Sequence, residues 1–126
     1  MNLAAGVATP FRLKLQGLHL FPDPREPKVL SLGISGDLRG LSALREELAS
    51  RLRQQGFPVE SRPFRPHITL ARIKSMRGLA GLRSLVASHR HLEAGTFQVE
   101  RITLYRSTLT KAGSIYDLLH QAPFSG

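Results

Sequence analysis

Leu38, Leu41, Leu44, Leu48 and Leu52 recur at intervals of three and four residues, a spacing that only a helix gathers onto one side. Ser35 or Asp37 can cap the start of that helix, and Gly56 marks its end. The charges between the leucines (Arg45, Glu46, Glu47, Arg51 and Arg53) read most simply as its solvated face. Away from this stretch the period changes. Phe11 to Gln16 and Thr96 to Ser107 alternate apolar and polar residues, the pattern of a half-buried strand. A chain holding one firm amphipathic helix among two-residue periods must combine helix with sheet.

The remaining segments fill in that plan. Gly17 and the run Phe21-Pro-Asp-Pro-Arg-Glu-Pro27 break the first strand, because proline removes backbone donors. Lys28 to Ile34 reads as a second strand, pairing with the first as a hairpin. Phe57 to Pro66 is an extended connector, and His67 to Ile73 is a strand rich in β-branched and apolar residues. A shorter helix is expected from Ser75 to about His91, with Gly78 and Gly81 weakening its first turn. Thr96 to Ser107 is expected as one long strand, Lys111 to Ser114 as a turn, and Ile115 to about Gln121 as a final strand. No repeat and no low-complexity segment is present. The expectation is one α+β domain over residues 1–126, with antiparallel sheets and helices packed on the outside.

Composition narrows the function. The 126 residues are 41% hydrophobic, enough for a globular core. No apolar run is long enough to cross a bilayer, and Met1 to Gly6 lacks a basic region followed by an apolar stretch, so neither a membrane span nor a secretion signal is expected. With no cysteine, disulfides and thiolate zinc sites are excluded, and a cytoplasmic setting is expected. The net charge of +9 is carried mostly by arginine, which grips phosphate through paired hydrogen bonds. Polyanions, nucleic acid first, are the expected partners.

Chemistry concentrates in Arg65-Pro66-His67-Ile68-Thr69-Leu70-Ala71-Arg72. Residues two apart in a strand share a face, so His67 and Thr69 point one way and Ile68 and Leu70 the other. An imidazole exchanges protons near neutral pH, and a hydroxyl beside it can donate to a phosphate oxygen. Pro66 holds the entry extended. Arg65 and Arg72 are cations able to offset charge on a phosphoryl group, although a regular strand turns Arg72 to the face opposite His67. On spacing alone, His-x-Thr reads most simply as an ordinary strand histidine with a β-forming threonine. His19, His89, His91 and His120 are scattered, and His89 and His91 diverge on a helix, so no metal site is expected. There is neither a phosphate-binding glycine loop nor a nucleophile elbow.

Taken with its flanks, the run from Arg65 to Arg72 resembles the second His-x-Thr-x motif of the RNA 2′,3′-cyclic phosphodiesterases, also called 2′-5′ RNA ligases, among the two-histidine phosphoesterases. Gly17-Leu-His-Leu-Phe21-Pro22 followed by Pro27-Lys-Val-Leu30 is similar to that family's Gly-x-Gly-x-Phe-Pro turn and next strand. Ile102-Thr-Leu-Tyr-Arg-Ser107, Gly113 and Tyr116 are similar to its closing hairpin. The resemblance implies two His-x-Thr-x lobes around a cleft, one histidine acting as acid and the other as base. Water opens a cyclic phosphodiester to a 2′-phosphomonoester, without metal or nucleotide cofactor. His67 inherits the proton-acceptor role and Thr69 a hold on a phosphate oxygen. Arg65 and Arg72 would bind RNA phosphate, and Phe64 or Tyr105 would stack on a base, though such aromatics are more often core residues. The implied partner is RNA with 2′,3′-cyclic phosphate or 2′-phosphate ends, tRNA included.

The family's first motif normally precedes the glycine turn by several tens of residues, whereas this chain begins only a few residues before it. The expectation is an N-terminally incomplete domain, through a truncated start, proteolysis or a shortened gene. Such a chain would be weakly active and would have a sheet edge open to self-association. His19 does not replace the missing motif: it sits where the family often has the second glycine, and Phe21 occupies the threonine position. The alternatives are a non-catalytic RNA-binding module, in which His67 serves contact alone, and a structural fragment that dimerises through its exposed edge.

Overall fold

The computed structural model describes residues 5, 6 and 8–125. Most of the segment on which the expected lack of a secretion signal rests, residues 1–4, lies outside the described residues. The elements run β1 (Phe11–Phe21), β2 (Val29–Gly36), α1 (Leu38–Gln54), β3 (His67–Arg72), α2 (Leu79–Ser88), β4 (Glu93–Val99), β5 (Arg101–Thr110) and β6 (Gly113–Pro123). The class is α+β. Among the described residues, no helix is long and apolar enough to cross a membrane. The chain divides into two compact units, one of Arg12–Leu38 and Arg62–Phe97, the other of Met1–Phe11, Arg39–Ser61 and Gln98–Gly126.

The first unit is built on a four-stranded sheet ordered β3-β2-β1-β4, in which β2 runs antiparallel to both β1 and β3. Leu13, Leu20, Leu32 and Leu79 form its buried apolar residues. Ser31 is also buried, and its hydroxyl donates to the carbonyl of His19 at 3.4 Å. Gly17 does not end β1, contrary to the expectation from sequence. The register passes from Leu15↔Ile34 to Leu18↔Leu32, so β1 holds one extra residue and continues to Phe21. This is a β-bulge, and Gly17 fits it with φ of 83°; a Cβ there would lie 2.5 Å from the carbonyl oxygen of Arg90. A second bulge lies in β3, where Ser31↔Thr69 is followed by Leu30↔Ala71.

Helix α2 is shorter than expected. Gly78 stands at its N-cap in the left-handed region (φ 75°) with no side-chain cap, and the amide of His89 closes it by donating to the carbonyls of Leu85 and Val86.

The second unit contains α1 and the β5–β6 hairpin. The helix follows its leucine stripe to Gln54, but the stripe is only half-buried beyond an exposed Leu38, and Ala49 is the buried position. The strand expected over Thr96 to Ser107 is two strands in two different sheets. Glu100 separates them, and its carbonyl accepts the amide of Phe124 at 2.8 Å. Phe124 in turn stacks on Phe11 with centroids 6.2 Å apart. Much of the hairpin's apolar surface is open: Leu109 is 84% exposed and Tyr116 66%.

Candidate active site

His67 opens β3 directly after Pro66, and its Nδ1 lies 2.8 Å from the carbonyl oxygen of Arg65. A carbonyl only accepts, so Nδ1 carries the hydrogen and Nε2 keeps the lone pair of the neutral ring. The ring plane is held from the other side of the hairpin. Phe21, the last residue of β1, stacks on the imidazole with centroids 4.2 Å apart and planes 19° from parallel. The Arg65 guanidinium lies 4.4 Å from the centroid of the same phenyl ring, a cation–π contact. These groups border a cavity of about 410 Å³, lined among others by His19, Phe21, Ser31, Gly33, Arg65 and His67. That volume is within the range of small-molecule sites.

The register places the rest. Thr69 faces Ser31 and His67 faces Gly33, so the two share one side of the sheet. Arg72 departs from the expectation of a regular strand. It faces Val29, which lies two residues from Ser31 and hence on the same side. The extra residue at Leu70 reverses the alternation and brings Arg72 onto the face of His67 and Thr69. Bulges commonly re-aim side chains next to functional sites. Arg65 and Arg72 are both solvent-accessible.

Phe64 is 44% exposed and Tyr105 54%, so neither is a core residue. Tyr105 lies in the other unit, opposite Leu118 on the β5–β6 hairpin. Neither ring is among those lining this cavity. Sequence reasoning missed the Phe21 stack, whose only trace was a phenylalanine before a proline at the end of a strand.

Beside this cavity is another of about 360 Å³, with Leu18, Leu20, Val86 and Ala87 as apolar wall and Arg83 and Arg90 as cations. Arg83 ties the proline-rich loop down, donating from Nε to the carbonyl of Pro24 at 2.9 Å and from Nη2 to that of Arg25 at 3.3 Å. Within that loop the amide of Arg25 donates to Asp23 Oδ1 at 2.9 Å. This bond, followed by the Arg25 guanidinium, holds the Asp23 carboxyl below its usual range.

A strand-borne His-x-Thr, an imidazole fixed by a hydrogen bond and a ring stack, Arg72 on the same sheet face and Arg65 just before the strand thus come together in one part of an α+β fold. The sequence profile described as "LigT like Phosphoesterase" matches residues 32–116, and the chain belongs to that family. It is 40% identical over 111 residues to an RNA 2′,3′-cyclic phosphodiesterase of Aeropyrum pernix, covering 88% of this chain and 63% of that protein. A protein of the same name from Aquifex aeolicus is 38% identical over 118 residues, covering 93% and 62%. TT0787 of Thermus thermophilus superposes with a TM-score of 0.70 at 29% identity over 99% of this chain and 66% of its own. E. coli LigT complexed with 3′-AMP gives a TM-score of 0.67 at 26% identity, covering 98% and 66%. The chain thus spans about 62–63% of the length of the two phosphodiesterase relatives.

Proposed function

We propose that residues 1–126 are the C-terminal, His67-bearing part of an RNA 2′,3′-cyclic phosphodiesterase, a hydrolase that opens a terminal 2′,3′-cyclic phosphate to a 2′-phosphomonoester. The observation that carries this reading is the bond from His67 Nδ1 to the Arg65 carbonyl, which leaves the Nε2 lone pair free beside a cavity that Arg65 also lines. In the reaction His67 Nε2 takes a proton from the attacking water. The Thr69 hydroxyl donates to a phosphate oxygen, and Arg65 and Arg72 offset the negative charge as the phosphoryl group becomes crowded. Phe64 and Tyr105 are the aromatic rings assigned to stacking on bases. The same groups would serve 2′-5′ ligation where a 5′-hydroxyl takes the place of water as nucleophile, giving up its proton to His67 Nε2 as the bond to the 3′ oxygen breaks. The names of the relatives support RNA as the substrate. RNA ends such as those of tRNA fragments, a cytoplasmic setting and self-association through an open sheet edge complete the reading.

The test uses the complete reading frame that encodes this chain and an oligonucleotide ending in a 2′,3′-cyclic phosphate. The expected product carries a 2′-phosphate, and His67→Ala lowers the rate by roughly 10²–10⁴-fold. An ester left intact by the wild-type protein defeats the proposal. RNA binding that survives in His67→Ala, with no hydrolysis by either protein, favours the non-catalytic module instead.

A further inference from the structure

The cavity of about 360 Å³ has no part in the reaction described above, yet it adjoins the one beside His67: His19, Leu20 and Pro24 line both. Arg83, Val86 and Ala87 stand three and four residues apart on α2, so they share one side of the helix, and Arg90 lies just past its end. Leu18 and Leu20 of β1 add to the apolar surface. Ala87 leaves room that a longer side chain would take. The amide of Leu18 is turned away from β2 and donates to the carbonyl of His89 at 3.1 Å. Main-chain groups alternate along an antiparallel strand, so those of Leu20 point to the same side. The two guanidiniums differ in availability. Arg83 is engaged with the carbonyls of Pro24 and Arg25, and it also attracts the Asp23 carboxylate. Asp23 is itself bonded by the amide and guanidinium of Arg25, at 2.9 and 3.2 Å, and it is not among the lining residues. Arg90 is exposed and, among the described residues, takes part in no ion pair. An apolar wall with few polar groups and one uncommitted guanidinium suits a ring system joined to an anion.

We propose that this cavity is a second subsite, which takes the nucleotide preceding the phosphate-bearing end of the RNA. The proposal rests on the cyclic-phosphodiester reading and adds to it a preference for length. The terminal phosphate lies at His67. The strand then passes His19 and Leu20, which belong to both cavities. The Arg90 guanidinium bonds the phosphate that joins the last two nucleosides, through a charge-assisted pair of hydrogen bonds. The preceding base packs on Leu18, Val86 and Ala87. Aliphatic side chains carry no hydrogen-bonding groups, so the subsite does not select among bases.

Calorimetry on the protein expressed from the complete reading frame tests this without requiring turnover. The ligands are adenosine 2′-monophosphate and the adenosine dinucleotide carrying a 2′-phosphate at its 3′ end. The dinucleotide should bind roughly tenfold tighter, the worth of one hydrogen bond to a charged group. Arg90→Gln and Ala87→Leu, both at exposed positions, should each bring the ratio of the two affinities toward one. Equal affinities in the wild type, or a ratio that neither substitution moves, overturn the subsite. So does a failure of the wild type to bind either ligand. Hydrolysis of the cyclic phosphate by the same protein decides the phosphodiesterase reading separately, so the two can fail apart. A second equivalent of mononucleotide, lost in Arg90→Gln, would put a separate nucleotide in the cavity and likewise overturn the assignment. Should a variant fail to fold, the wild type still decides. The dinucleotide must shift the methyl resonances of Leu18, Leu20 and Val86 where the mononucleotide does not, and signals that stay in place refute the proposal.

Discussion

At the scale of single residues, the site depends on what is missing at 33. Gly33 does not need a positive φ, so its constraint is purely one of space. A Cβ would lie 2.6 Å from the carbonyl oxygen of Gln16 and 2.8 Å from His19 Nε2. The imidazole can rotate away, but the backbone carbonyl belongs to the β1 bulge and cannot. Gly33→Ala should therefore destabilise the protein by about 1–3 kcal/mol, the usual cost of overpacking. A urea titration checks this: the midpoint should fall while the slope stays unchanged. An unshifted midpoint would mean that β1 and β2 are looser than the register implies. The position next in importance, Phe21, acts through shape as well. Its ring holds the His67 imidazole flat, which leaves the Nδ1 bond to Arg65 as the feature that fixes the tautomer.

At the scale of elements, sequence pattern revealed α1, β2 and β3 because each keeps one period over most of its length. It failed where the period slips. Gly17 looked like a strand end because its left-handed backbone is the same in a bulge as in a turn. Arg72 looked misdirected because nothing in His-x-Thr-Leu-Ala-Arg marks Leu70 as the extra residue; only pairing with β2 reveals it. His67 and Thr69 were legible because they precede that slip. Tyr105 and Phe64 were not placeable, since an aromatic fits a core and an open face equally well. Gly81 lies inside α2, where a Cβ would meet nothing within 4 Å. Gly81→Ala should thus raise stability by about 0.8–1.0 kcal/mol, opposite in sign to the change at 33, and thermal unfolding measures it. Between strands, Lys14 on β1 bonds Glu93 on the neighbouring β4. This hydrogen bond, aided by the lysine charge, holds the Glu93 carboxyl below its ordinary value of 4.5. A carboxyl depressed on folding adds stability above its unfolded value and loses it as pH falls through the folded one. The stability gap between wild type and Glu93→Gln should accordingly be present at neutral pH and vanish in acid, below the normal glutamate range. A gap that persists at low pH would assign the effect to packing.

At the scale of the whole molecule, the excess of +9 is not spread evenly in its availability. On α1, Arg51 is paired with Glu47 at 2.7 Å and Arg53 with Glu46 at 3.3 Å, so those cations already have counter-charges. Arg25 is likewise spent on Asp23 at 3.2 Å. Arg65 instead faces a phenyl ring, and Arg72 stands on the sheet face of His67 with no carboxylate opposite it in the register. A polyanion should draw on the second group rather than the first. For single-stranded RNA, each phosphate neutralised contributes about −0.7 to the slope of log affinity against log salt. Replacing Arg65 and Arg72 together by glutamine should make that slope shallower by roughly 1.4. Replacing Arg51 and Arg53 changes the net charge by the same amount and should leave the slope nearly unaltered. Fluorescence anisotropy with a short labelled oligonucleotide across a salt series separates the two outcomes. Equal effects from both pairs would mean that RNA responds to the overall charge alone, and the face bearing His67 would lose its claim to be where the strand lies.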